Sequence, residues 1–120
     1  MNTTTSIHPL ISAHRVNGAE VYNTAGEKLG KVEDVAIEKV SGKVAYAILS
    51  FGGFLGLGER YYPVPWSLLD YDVDKGGYVV PLDKAQVENA PSFEARDLGG
   101  WSDVLSREGI FGYYGVVPYW

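Results

Sequence analysis

Few residues in this chain are of types that do chemistry, and they are scattered. Two histidines, His8 and His14, stand near the amino terminus, ahead of the first strand-like segment. A metal ion would need further ligands beside them, and a catalytic triad would need a nucleophile and a carboxylate held in place. A polar arm holds nothing in place. The carboxylates are spread along the chain, and only Asp70, Asp72 and Asp74 fall at a meaningful spacing. On a strand these three share one face and would attract a cation. A calcium loop, however, also needs a central glycine and a closing glutamate, which are missing at the right positions. They read as a solvated strand face. The segment Gly53-x-x-Gly56-x-Gly58 superficially resembles a phosphate cradle. A cradle needs a helix after it, so that amides and the helix dipole face the phosphate. Here Arg60-Tyr61-Tyr62-Pro63 follows, which is not a helical sequence. No catalytic residue, metal site or cofactor is expected.

Composition narrows the classes further. There is no cysteine among the 120 residues, which removes disulfides, thiolate nucleophiles and Cys-ligated zinc. The net charge is −5. Phosphate backbones and anionic membrane surfaces repel such a chain, so no nucleic-acid partner is expected. No apolar run reaches the ~18–20 residues of a membrane helix, and the first residues lack the basic start and apolar core of a signal peptide. A cytoplasmic location is the expectation. At 46% hydrophobic and 21% charged, the chain has the make-up of one folded domain.

What remains are surfaces for contact. Phe54, Leu55 and Leu57 would sit at the tip of the glycine-rich loop, where apolar side chains mark a partner site. The tail ends in aromatics, among them Tyr113, Tyr114, Tyr119 and Trp120. They are too apolar to stay solvated. They cover the domain's own edge or cross to a twofold mate, with a lean toward a homodimer. Trp66 is read as a plug for the interior, its N–H bonded to a carbonyl. An alternative is a small-ligand pocket lined by Tyr61, Tyr62 and Trp66.

The elements that would hold these residues are mostly strands. Residues 1–15 read as a mobile arm. Glu20-Val21-Tyr22 is β-prone, and Asn23-Thr24-Ala25-Gly26 is a turn. From Lys28 to Lys39 the apolar positions Leu29, Val32, Val35 and Ile37 break strict alternation. Gly30 and the Val/Ile content favour a strand bent by bulges over a helix. After a turn at Ser41-Gly42-Lys43 comes the clearest strand, Val44 to Phe51. It places Val44, Tyr46 and Ile48 on one side and Ala45, Ala47, Leu49 and Phe51 on the other. Both sides are apolar. Pro63 and Pro65 indicate an edge strand or a strand end. Ser67 to Asp70 fits one helical turn or more strand. A hairpin turns at Lys75-Gly76-Gly77. Asp83 caps a short helix, Lys84 to Asn89. In the tail, Trp101, Val104 and Leu105 share a face of a short helix that Gly109 ends. Short strands with turns every ten or so residues make the chain mainly β, a small barrel.

From Val16 to Pro91 the order of these features resembles the PRC-barrel family. The residues that carry it are Gly18-Ala19-Glu20-Val21-Tyr22-Asn23, then Gly26-Glu27-Lys28-Leu29-Gly30-Lys31-Val32-Glu33-Asp34-Val35. Ala45 to Gly53 and Tyr61-Tyr62-Pro63-Val64-Pro65-Trp66 complete the pattern. The resemblance implies a highly curved β-barrel of about six strands with a short helix, over residues 16–91. Residues 92–120 then form a C-terminal extension with one short helix. It also implies a non-catalytic docking module with a protein partner, with a ribosome- or RNA-associated factor as an alternative that the negative charge weighs against. In that family the domain occurs in the reaction-centre H subunit, in a ribosome maturation factor and in free-standing proteins. This chain shows neither the membrane helix of the first nor the N-terminal barrel of the second. Sharp bending accounts for Gly30, Gly42, Gly52 and Gly53, which supply backbone freedom.

Overall fold

A sheet of seven strands organises the chain in a computed structural model that describes residues 9–51, 60–94 and 107–115. The strands are β1 (Glu20–Asn23), β2 (Lys28–Ile37), β3 (Val44–Ser50), β4 (Arg60–Pro65), β5 (Asp70–Asp72), β6 (Gly77–Val80) and β7 (Phe93–Glu94). Their order is β5-β6-β1-β2-β3-β4-β7. β1 and β6 run parallel, and every other neighbouring pair is antiparallel. Among the described residues three short helices flank or interrupt the strands: α1 (Ala13–Val16) ahead of β1, α2 (Lys84–Glu88) between β6 and β7, and α3 (Arg107–Tyr114) after β7. A single 3-10 turn, Trp66–Leu68, links β4 to β5.

The irregular spacing in β2 has a specific cause. Val21 faces Gly30 and Tyr22 faces Lys28, so Leu29 has no opposite residue. Val32 faces Leu49 and Asp34 faces Ile48, so Glu33 is also extra. Each unpaired residue is a bulge that shifts the in-out phase by one. Leu29 and Val32 can therefore both be buried although three residues apart. A third bulge lies on β3 itself, where Ala36 faces Tyr46 and Ile37 faces Val44. Ala45 is the extra residue there. It packs with Tyr46 and Ile48, not with Ala47 and Leu49 as plain alternation requires. On β2, adjacent Ala36 and Ile37 face apart, and Ala36 is buried while Ile37, the last residue of the strand, is 55% exposed.

Two glycines act through space, not through backbone freedom. A Cβ on Gly30 would overlap the Ser50 carbonyl oxygen, and one on Gly77 would overlap that of Glu20. Gly30 is thus required by strand approach, whereas Gly42 does have the expected left-handed backbone (φ +76°) in its turn. The β1–β2 turn is held by a buried side chain. Asn23 Oδ1 accepts from the N–H groups of Ala25 and Glu27 at 3.0 and 2.9 Å. Its Nδ2 donates to Glu27 Oε1 at 2.8 Å. Asp83 caps α2 as expected, in a reciprocal box with Gln86.

β3 is buried on both faces, as its sequence requires. Ala47 and Leu49 belong to the main core, with Val21, Val32, Val64, Val80 and Val87. Tyr46 and Ile48 belong to a second cluster on the opposite face, with Ala36, Phe93 and Ile110. Ile110 comes from α3, so the C-terminal part covers this face in cis. Gly109 lies inside α3 and does not end a helix. The helix instead stops before Gly115, whose φ of +68° is the left-handed conformation of a helix C′ residue. The expected helical face of Trp101, Val104 and Leu105 lies outside the described residues.

These placements set the sign of two glycine substitutions. Gly30→Ala forces β2 from β3 and should lower unfolding free energy by more than about 3 kcal/mol in urea titration. Gly112→Ala, on the open side of α3 with nothing near its missing Cβ, should raise it by about 0.5–1 kcal/mol.

Candidate functional site

A groove of about 670 Å³ opens at the β5–β6 end of the sheet. Its floor is aromatic. Tyr78 of β6 stands between two rings, with Trp66 at 5.4 Å and Tyr71 at 5.2 Å between centroids, both edge-on. Local chemistry explains this. The hairpin turn at Val73–Gly76 pairs Tyr71 directly with Tyr78. The 3-10 turn after Pro65 then swings Trp66 back over Tyr78. Tyr78 is 3% exposed, and burial, with Tyr71 beside it, holds its phenol above the usual range. Edge-to-face packing of this kind contributes about 0.5–1.5 kcal/mol per pair beyond area burial.

The wall is the segment before β1. Pro9, Leu10 and Ile11 line the groove together with Ser12 and Arg15. Ser12 is the N-cap of α1, its hydroxyl accepting from the Arg15 N–H at 3.3 Å. Val16, on the far side of that turn, is buried in the main core. The segment is thereby anchored while Leu10 stays 77% and Ile11 40% exposed. Across the groove, Tyr71 is 48% exposed and Val73, in the following turn, 46%.

The residues singled out in the sequence fall elsewhere. Phe54, Leu55 and Leu57 lie outside the described residues, as do His8, Tyr119 and Trp120. The glycine-rich segment does lead into a strand, β4, and not into a helix. Tyr61, Tyr62 and Trp66 do not converge. Tyr62 is buried in the main core against Phe51, with centroids 4.9 Å apart. Tyr61 packs edge-on against Phe93, at 5.9 Å, on the opposite face. Neighbours on a strand point to opposite sides, so these two tyrosines cannot line one pocket. Pro63 and Pro65 sit where β7 has stopped pairing, since β7 covers only Arg60 and Tyr61. Neither proline can donate, so their ladder bonds to β3 run through the residues between them and the outer edge lacks donors. His14 is exposed on α1. Asp70 and Asp72 are on β5 and Asp74 is in the turn.

Tyr113 and Tyr114 are engaged within the chain. The Tyr113 hydroxyl donates to the carbonyl of Gln86 in α2. Tyr114 packs against both cores, and its hydroxyl, buried, has no partner among the described residues. Burial, with Tyr113 and Tyr62 nearby, pushes its phenol well above the usual range. What sequence reasoning missed is the wall of the groove. The signals were present: a serine N-cap three residues ahead of Arg15, and a tyrosine on each side of a readable hairpin turn.

The sequence profile described as PRC-barrel domain matches residues 8–87. The chain belongs to that family, and the curved, mainly β sheet is its architecture. An uncharacterized protein of Deinococcus radiodurans is 32% identical over 78 residues, covering 65% of this chain. The chain spans only 27% of the length of that relative. Among solved structures it is similar to a protein described as a 16S ribosomal RNA processing protein, RimM, from Pseudomonas aeruginosa. That match has 16% identity and a TM-score of 0.42, over 71% of this chain and 50% of the other. Among the described residues no helix is long and apolar enough to cross a membrane. Nor do three His, Asp or Glu side chains gather there to hold a metal ion.

The buried phenol of Tyr114 gives a pH signature. In the unfolded chain it ionises near its ordinary value of about 10, while in the folded chain it stays neutral to higher pH. Its contribution is complete below pH ~10 and is lost as pH rises toward the folded value. Denaturation midpoints should therefore fall above pH ~10, and Tyr114→Phe should flatten that fall. At neutral pH the same variant should be neutral or up to about 1 kcal/mol more stable, because an unpartnered hydroxyl leaves the interior.

Proposed function

We propose that this chain is a non-catalytic docking module of PRC-barrel type that binds a protein partner at the groove between its N-terminal segment and β5. One observation carries the reading. Three of its exposed large apolar residues, Leu10, Ile11 and Tyr71, line this one groove, and exposed Val73 follows in the turn after β5. Apolar residues grouped beside an aromatic floor are costly to leave in water and mark contact surfaces. β5 is also the terminal strand of the sheet, so its outer edge has room for a partner. The loop residues Phe54, Leu55 and Leu57, with Tyr119 and Trp120 of the tail, are a second proposed contact, toward another copy of the chain in a homodimer. A cytoplasmic setting without a nucleic-acid partner is part of the same reading, and the net charge of −5 supports the second half of it.

The test places a photo-crosslinking amino acid at Val73 and another at Val40, an exposed position in the β2–β3 turn. Both proteins are irradiated in native lysate, and the products are identified by mass spectrometry. A partner crosslinked at 73 and not at 40, and reduced at least fivefold by Leu10→Ser with Tyr71→Ser, is the expected result. Equal crosslinking at both positions counts against the groove.

A further inference from the structure

We infer that the partner presents an extended, acidic segment to the groove, with a carboxylate that pairs with Arg15 and a large apolar side chain that lands on Trp66 and Tyr71. This rests on the docking reading of the same groove and names the chemistry of its occupant.

The argument is one of charge and shape. Arg15 is the sole charged side chain lining the groove, and its other lining residues are apolar, aromatic or hydroxyl. Among the described residues none of the ion pairs Lys28–Glu20, Lys31–Glu33 and Lys84–Glu27 engages its guanidinium. The acidic residues closest in sequence to the floor are turned elsewhere. Tyr71 stacks on Tyr78 within the groove, and Asp70 and Asp72, its neighbours on β5, alternate to the opposite face of the strand. The groove therefore presents one unpaired cation over an apolar floor, inside a chain that is otherwise acidic. An arginine forks onto a carboxylate in two-point geometry, and Ser12 beside it keeps its own O–H as a donor.

Extension follows from the strand. Tyr71 belongs both to the groove and to β5, whose outer edge pairs with no strand among the described residues, so a chain lying in the groove runs alongside that edge. β5 has three residues, enough to set the direction of an added strand and too few to hold it alone. Affinity must come from side chains, and those on one face of an extended segment recur every second residue. A carboxylate and a large apolar side chain on that face meet Arg15 and the aromatic floor together.

A display library of randomised nine-residue peptides, selected against the full chain, tests this directly. Selected peptides are synthesised and measured by fluorescence anisotropy against wild type, Tyr71→Ala, Arg15→Gln and Arg15→Glu. Circular dichroism checks that each variant folds. The expected consensus has Asp or Glu on the same strand face as a Trp, Phe, Leu or Ile. Arg15→Gln should weaken binding about three- to tenfold, and Arg15→Glu more. Replacing the peptide carboxylate by Lys should restore binding to Arg15→Glu and not to wild type. Peptides that lose affinity with Tyr71→Ala but carry no acidic residue, or bind Arg15→Glu unchanged, would overturn the inference and leave the docking groove standing. A selection that yields no peptides, or only peptides indifferent to Tyr71→Ala, would overturn the docking reading itself, and the inference with it.

Discussion

β3 has no polar face, and the rest of the structure answers that constraint. A strand that is apolar on both sides must be covered on both sides, or it exposes a hydrophobic surface to water. On one side the sheet curls so that β1, β2, β4 and β6 bring valines and leucines against Ala47 and Leu49. Curling cannot also close the other side, because bending a sheet toward one face opens its opposite face. That second side is closed by Phe93 of β7 and Ile110 of α3, both supplied by the chain after the barrel pattern ends. Phe93 and Ile110 are therefore part of the fold's hydrophobic core, and Tyr114, which touches both clusters, ties the two layers together.

Curvature has its own physical source. A long strand such as β2 can serve two partners only by changing phase along its length. Its extra residues at Leu29 and Glu33 do this, one against β1 and one against β3. Gly30 lies between them, where the backbone of β3 approaches too closely for a side chain. The bulges and the glycine thus belong to one device, in which the bulges bend β2 and the glycine admits the neighbour that bending brings near. This is also why the apolar spacing of β2 looks irregular as a sequence and is regular as a structure.

The local parts of the fold were legible because local chemistry decides them. The Asn23 turn, the cap at Asp83, the hairpin at Gly76 and the two apolar faces of β3 all follow from residue type and spacing. Phase was not legible, since a bulge depends on which strand lies opposite. Ala45 was misplaced for that reason. Gly109 was misread because glycine ends a helix only where it turns left-handed, which Gly115 does and Gly109 does not, and Ile110, the next residue, is 1% exposed against the second cluster. The groove was hidden for a different reason. Tyr71 and Tyr78 are joined by a turn that can be read, but the groove also needs α1 beside β6. Only the parallel pairing of β1 with β6, nearly sixty residues apart, brings that about. A pairing of that range leaves no trace in either segment alone. The pocket expected from Tyr61, Tyr62 and Trp66, by contrast, was refutable from the sequence, because adjacent strand residues face apart.

Preorganisation separates the groove from the rest of the apolar surface. Ile37 and Val40 are as exposed as its residues, yet one ends β2 and the other sits in the turn that follows, and neither lines the groove. In the groove, Tyr78 is already wedged between Trp66 and Tyr71, so the floor loses little freedom when something lies on it. The wall is likewise fixed, by the Ser12 cap at one end of α1 and buried Val16 at the other. Ordering loose side chains costs about 0.5–1.5 kcal/mol for each one immobilised on binding. A surface whose aromatic rings are held by one another and whose wall is pinned to the core has met most of that cost in folding. The interactions that shape this end of the sheet are therefore the same ones that fit it to receive a partner.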